Sequence, residues 1–319
     1  MLDVRRLRLL RELARRGTIA AVADALAFSP SAVSQQLGVL EREAGLPLLE
    51  RTGRRVRLTP AAQHLVRHAD AVLERLEQAE ADLAEARSGL AGALRIGSFP
   101  TATRAVVPAA LVALERRHPG LEPMVSETDP AAVAHALRAG DLDVALVHEY
   151  DFVPAPQEPG ITAEPLYGEA MYLAAPRDPG APSGTAAPVA PSEAAADQRA
   201  VLRGHADAPW VIATPGTLCH AMTVRACQAA GFTPRIRHHV DEFATVLALV
   251  AAGQGVAVVP QLGVLGPTDP AVALTRLRME RRTRLAFRSG AAAHPAVAAF
   301  GAALRAALPP ELATGDAAT

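Results

Sequence analysis

The sequence predicts a chain in three parts: an N-terminal α-helical winged helix-turn-helix, a long linker helix, and a two-lobed C-terminal α/β domain. Three observations predict it. Residues 18–58 read as two short helices, a three-residue turn and an arginine-studded ribbon. Residues 60–87 carry apolar positions at heptad spacing. From Ala93 onward, strand patterns alternate with helix patterns, which argues for α/β layers with parallel strands.

A supporting helix is expected first, over Val4 to Arg15, with Leu7, Leu10, Leu13 and Ala14 facing inward. Thr18 can cap the next helix, whose apolar stripe is Ile19, Val22, Ala23 and Leu26. Ala27 and Phe28 fit the turn. Ser29 can cap the second helix of the pair, and Pro30 sits at its first position, where the missing N–H costs nothing. Val33, Leu37 and Leu40 then face inward, and Ser31, Ser34, Gln35 and Gly38 outward. Small hydroxyl and amide side chains on the exposed first turns suit a helix that approaches base edges in the major groove. A helix N-terminus also attracts phosphate.

The ribbon runs from Leu48 to Leu58 with Thr52-Gly53 as its turn, and Arg51, Arg54, Arg55 and Arg57 crowd it. Guanidinium groups there meet phosphates or enter the minor groove. Alone, such a run is equally a solvated hairpin. Beside the two-helix unit it points to duplex DNA.

The motifs AVADALAFSPSAVSQQLGVLERE and LLERTGRRVRLTPA, in this order at the start of the chain, resemble the DNA-binding region of the LysR-type transcriptional regulators. The rest of the chain is similar to that family's effector-binding region. The resemblance implies a dimer or tetramer, joined through the linker helix and effector domain, that binds an interrupted palindrome near a promoter and answers a small molecule. It implies that Ser29, Pro30, Ser31, Ser34 and Gln35 touch bases or nearby phosphates and that Arg51 or Arg54 anchors the wing, with Arg55 beside them. Leu49 departs from the Phe common in the family, which alters packing rather than DNA reading.

Charge agrees. The net charge is −1, but residues 1–58 hold 11 arginines against 6 acidic residues, while 59–88 and the remainder are both net acidic. A basic module on a mildly acidic body confines nucleic-acid binding to one end. There is no lysine. With abundant Ala, Gly and Pro, that composition is read as genomic bias.

Thr59-Pro60 starts the linker helix, expected to reach Arg87. Leu65, Val72, Ala79 and Ala86 fall seven apart, as do Ala69, Leu76, Leu83 and Leu90. Together they form an a/d seam suited to pairing with a second chain. Ser88-Gly89 and Gly92 form a hinge. The expected boundaries are 1–58, 59–90 and 91–310, followed by a disordered tail at 311–319. Lobe I comprises about 91–165 and 266–310, and lobe II about 166–265.

In the lobes the expected strands are ALRIGSF, LEPMVSE, LDVALVH, AMYLAA, WVIAT, PRIRHHV and GVAVVP, plus a return strand near Thr283 to Phe287. Gly140, Gly231 and Gly253 close helices between them. Two such lobes joined by crossovers resemble a periplasmic-binding-protein fold. Residues 178–200, rich in Pro, Ala and Ser, read as a surface loop.

Ligands settle beyond strand ends at helix N-termini. Ser98, Phe99 and Thr101 in the first lobe, and Thr214, Gly216 and Thr217 in the second, fit that description. Their hydroxyls and free N–H groups suit a carboxylate or phosphate, so an anionic effector is one expectation. By resemblance, Thr128 and His148 also face the cleft.

Other classes are weaker. The sequence has no GxGxxG, no lysine for a Walker motif and no GxSxG elbow, so neither enzyme nor cofactor is expected. Cys219 and Cys227 are eight residues apart, one short of the reactive pair of the family's peroxide sensors. On one helix that is about 12 Å, too far for a disulfide without unfolding. His238, His239, Asp241 and Glu242 cluster, but adjacent strand residues point to opposite faces, so no metal is expected. With no signal peptide or membrane span in the pattern, a cytoplasmic protein without membrane contact is expected.

Overall fold

The structure is a computed structural model, and it describes residues 1–52, 55–86, 90–154, 158–177, 197–266, 269–292 and 294–312. The head begins with α1 (Val4–Arg16), α2 (Ile19–Ala25) and α3 (Pro30–Ala44). Each start has a visible cause. Asp3 Oδ1 accepts the Arg5 N–H at 2.7 Å, Thr18 Oγ1 accepts the Ala21 N–H at 3.2 Å, and Ser29 Oγ accepts the Ala32 N–H at 3.2 Å. Ala27 turns the chain between α2 and α3 in the left-handed region, at φ 54°. Buried Leu10, Leu13, Val22, Val33, Leu37, Leu40 and Leu48 make the head's core.

Strands β1 (Leu49–Thr52) and β2 (Arg55–Leu58) pair antiparallel as the wing. Glu41 Oε1 accepts both the Leu48 and Leu49 N–H groups at 2.9 and 3.0 Å, which ties the wing to α3. Leu49 packs partly buried against the head core.

Helix α4 (Pro60–Ala86) starts on a Thr59 cap, whose Oγ1 accepts the Ala62 N–H at 3.1 Å. Its first turns belong to the head, where Ala62 and Ala69 are fully buried. Beyond them Val72 and Leu76 of the seam are exposed. Leu83 and Ala86 carry no described side chain, and Ser88-Gly89 lies outside the described residues.

The body contains β3 (Ala91–Ser98), α5 (Pro100–Ala105), α6 (Val107–Arg117), β4 (Gly120–Glu127), α7 (Pro130–Ala139), β5 (Val144–Tyr150) and β6 (Ile161–Pro176). There follow α8 (Gln198–Arg203), β7 (Pro209–Ile212), α9 (Leu218–Ala229), β8 (Arg235–His239), α10 (Phe243–Ala251), β9 (Ala257–Pro260), β10 (Val272–Arg288) and α11 (Pro295–Ala307).

The sheet corrects the expectation of parallel lobes. One six-stranded sheet runs β4-β3-β5-β10-β6-β9, and β7-β8 form a separate parallel pair. Strands β3, β4 and β5 pair in parallel, but β10 pairs antiparallel with both β5 and β6. The reason is length. At 16 and 17 residues, β6 and β10 each extend through both lobes, so the crossovers are strands rather than loops. Only the second half of β6 and the end of β10 are legible as strands in the sequence.

Two more expectations shift. Helix α8 starts at Gln198, inside the stretch read as loop, whose residues 178–196 lie outside the described residues. Leu312, assigned to the tail, is buried in the lobe I core.

Head and body touch through arginines. Arg8 Nη2 donates to the Arg138 carbonyl at 3.0 Å, and Arg16 Nη2 lies 3.0 Å from His135 Nδ1. At the far end of β10, Arg288 Nη1 donates to the Leu137 carbonyl at 2.7 Å while its Nε lies 3.6 Å from Glu77 of α4.

Candidate functional site

On the head, Ser29, Pro30, Ser31 and Gln35 are exposed on the first turns of α3, and Ser34 is half-buried. The Ser29 and Ser31 hydroxyls lie 3.0 Å apart. Arg51 sits on β1 opposite Val56, and Arg55 on β2 opposite Thr52. Arg54 lies outside the described residues. An exposed hydroxyl and amide row beside a basic ribbon can meet base edges and phosphates together.

In the body, the middle of the sheet carries a buried polar face. Arg281 of β10 is opposite Tyr150 of β5 and Glu169 of β6. Two residues on, Thr283 is opposite His148 and Tyr167. A spacing of two keeps all six side chains on one side of the sheet. All six are buried.

Arg281 anchors this face. Its Nε donates to Glu169 Oε1 at 2.7 Å and its Nη2 to Thr101 Oγ1 at 2.8 Å, and Glu169 Oε2 accepts the Leu262 N–H at 2.8 Å. The Phe99 ring lies 4.9 Å from the guanidinium carbon, a cation–π contact. Burial opposes the charge on Arg281, but Glu169, followed by Tyr150, Tyr167 and Cys219, offsets it and raises the guanidinium pKa above its usual value.

His148 packs edge-on against Phe99 at 4.7 Å and Tyr150 at 5.2 Å between ring centroids. Neither of its ring nitrogens has a hydrogen-bond partner among the described residues, and the Tyr167 and Thr283 hydroxyls, which face each other, have no partner beyond that pair. Burial first, and then the Arg281 charge, hold the imidazole pKa well below 6.5, so His148 is neutral.

A pH dependence follows. The unfolded chain gains a proton on this imidazole near pH 6.5 and the folded chain does not. The contribution of His148 is therefore full above about pH 6.5 and is lost as pH falls below it, by up to about 1.4 kcal/mol per pH unit. Melting curves at pH 7.5 and 5.5 are expected to show a smaller acid-induced drop for His148→Gln than for the native protein. Equal drops would place the titration on other groups.

The structure thus brings Phe99, Thr101 and His148 to one face. Ser98 is buried, and its carbonyl accepts the Thr128 N–H at 2.9 Å, while Thr128 Oγ1 donates to the Ser126 carbonyl at 3.3 Å. Thr214 is exposed and donates to Asp241 Oδ2 at 2.6 Å, Gly216 is an exposed turn residue at φ 95°, and Thr217 caps α9. These three lie off the buried face. Arg281, Glu169, Tyr167, Thr283 and Tyr150 were not anticipated, although the alternation Leu277, Met279, Arg281, Thr283, Leu285, Phe287 is in the sequence and all six are buried.

Cys219, on α9, lies 3.0 Å from the Tyr150 hydroxyl. Part of Cys219 is accessible, yet desolvation around its sulfur raises the thiol pKa despite Tyr150 and Arg281, and the carboxylates of Asp129 and Asp241 add to the rise. Burial pushes the Cys227 thiol up to about 12. Neither is an activated thiolate. Among the described residues no group of three or more His, Cys, Asp or Glu could hold a metal ion. No helix among them is long and apolar enough to cross a membrane.

Comparison with known proteins agrees with both halves. The family model described as LysR substrate binding domain matches residues 87–309, and that of the bacterial regulatory helix-turn-helix protein, lysR family, matches 4–63. The chain is 32% identical over 284 residues to a probable hydrogen peroxide-inducible genes activator of Mycobacterium avium, covering 87% of this chain and 85% of the relative. A cysteine mutant of Corynebacterium glutamicum OxyR superposes with a TM-score of 0.56 at 26% identity, covering 96% of this chain and 92% of that one. Full-length CbnR, solved in complex with its target DNA, has the same fold, with a TM-score of 0.52 at 24% identity over 96% of this chain and all of that one (100%). LysR-type regulators bind DNA and small-molecule effectors, form oligomers and are not enzymes. The chain therefore belongs to the LysR family of DNA-binding transcriptional regulators.

Proposed function

We propose that residues 1–58 read an interrupted palindrome in promoter DNA, that residues 59–90 pair two chains, and that residues 91–310 sense a small molecule through the face formed by His148, Tyr167, Arg281 and Thr283. Ser29, Pro30, Ser31, Ser34 and Gln35 make the base and nearby phosphate contacts, and Arg51, Arg54 and Arg55 hold the wing to the backbone. The observation that carries the DNA half is the exposure of Ser31 and Gln35 on the first turns of a capped α3. The pairing reading is supported by Val72 and Leu76, exposed apolar residues that continue the seam past the head core. The sensing half is supported by both ring nitrogens of buried His148, which lack partners, beside the Tyr167 and Thr283 hydroxyls, which have none beyond each other, on one face. The assembly is a dimer or a tetramer joined through that seam and the effector domain, acting in the cytoplasm.

The relative's peroxide-linked name invites a thiol-based reading. Two raised thiol pKa values, with both cysteines on one helix, favour a non-covalent effector instead.

Gln35→Ala tests the DNA half. Against a fragment selected from genomic DNA, the variant is expected to lose about 1–3 kcal/mol of discrimination, the worth of one bidentate base contact. Its affinity for random duplex, and the salt dependence of that affinity, should stay near native. Equal loss on random and selected DNA, measured by fluorescence anisotropy, would contradict the assignment.

A further inference from the structure

We infer that the effector held by the β5–β10–β6 face is uncharged, a small hydroxyl- or amide-bearing molecule that both donates and accepts hydrogen bonds. This rests on the reading of that face as the sensing site. The ionic capacity of the site is already used. Arg281 and Glu169 have side chains only 1% and 0% exposed and are paired at 2.7 Å. The guanidinium is further bonded to Thr101, and the second carboxylate oxygen takes the Leu262 N–H. The pair sums to zero charge. A carboxylate ligand could reach Arg281 only by releasing Glu169, leaving an unpaired buried charge. A cation would lie beside Arg281 with no free carboxylate to meet it.

The groups that remain ask for a neutral partner. His148, Thr283 and Tyr167 stand directly opposite one another on three adjacent strands. The row spans two inter-strand spacings, about 10 Å. A neutral imidazole offers one donor and one acceptor, and each hydroxyl offers both. A carboxylate can only accept, so it would use the row's donors and leave the unprotonated ring nitrogen of His148 without a donor. Burial keeps the Tyr167 phenol protonated, its pKa raised above the ordinary value, so this residue too brings no charge.

The test is a thermal-shift comparison of the full-length protein against a metabolite library containing matched acids and neutral amides or alcohols, such as benzoate with benzamide and glycerate with glycerol. Neutral members are expected to supply the hits, raising Tm by about 5 °C near saturation, and Thr283→Val and Tyr167→Phe are expected to abolish that rise. A rise confined to acids or amines, or no rise with any neutral member, overturns the inference. A neutral-member rise that survives in both variants overturns the placement of the site on this face instead, so the two failures are told apart.

Discussion

Glu169→Ala is expected to destabilise the body of the protein by about 3–5 kcal/mol, the cost of leaving a buried charge without its partner. Arg281 would lose its carboxylate and keep neutral partners, Thr101 Oγ1, the Tyr150 hydroxyl and the Phe99 ring, and the Leu262 N–H would lose its acceptor. Urea unfolding followed by circular dichroism measures the loss. The double variant Arg281→Met with Glu169→Leu is expected to recover most of that stability, because the pair's own desolvation cost disappears with it. It should also fail to respond to the effector. A loss under about 1 kcal/mol in the single variant would mean that water reaches the pair and that the electrostatics described above are those of a surface ion pair.

Gly290→Ala is expected to change how the sensing domain addresses the linker helix. A Cβ at Gly290 would lie 2.5 Å from Glu77 Cβ and 2.6 Å from the Glu74 carbonyl oxygen of α4. A backbone oxygen cannot swing aside as a flexible side chain does, so α4 must move off lobe I, at a cost of about 1–3 kcal/mol. The contact between Arg288 and Glu77, at 3.6 Å, would open with it. Arg288 and Arg281 lie on the same strand, seven residues or about 23 Å apart. Strand β10 therefore links the buried face to the helix that carries the DNA-reading head. DNase footprints of the variant are expected to differ from native in protected length, and an unchanged footprint that still responds to effector would remove this contact from the transmission route.

The head was legible in the sequence because its determinants are local. Thr18, Ser29-Pro30 and Thr59-Pro60 announce helix starts through caps a few residues away, and each cap bond is present in the structure. The sheet order was less legible. β10 carries Arg276, Arg278, Arg281, Arg282, Arg284 and Arg288, a density of charge that reads as surface. Arg281 is buried only because Glu169, distant in sequence, meets it across the strand pair. A period-two count along β10 places Arg281 and Thr283 with Leu277, Leu285 and Phe287, and that was the available signal. The effector residues read from helix N-termini divided accordingly. Phe99 and Thr101 reach the face through α5, whereas Thr214 donates to Asp241 and Thr217 to the Thr214 carbonyl.

The measurement closest to the central claim is competition binding of the purified protein to fragmented genomic DNA against scrambled duplex at physiological salt. The account predicts enrichment of a small set of fragments carrying paired half-sites, with an affinity that shifts when a neutral effector occupies the His148–Thr283–Tyr167 row. A folded protein that retained genomic and scrambled fragments equally, with and without every compound that raises its Tm, would contradict it.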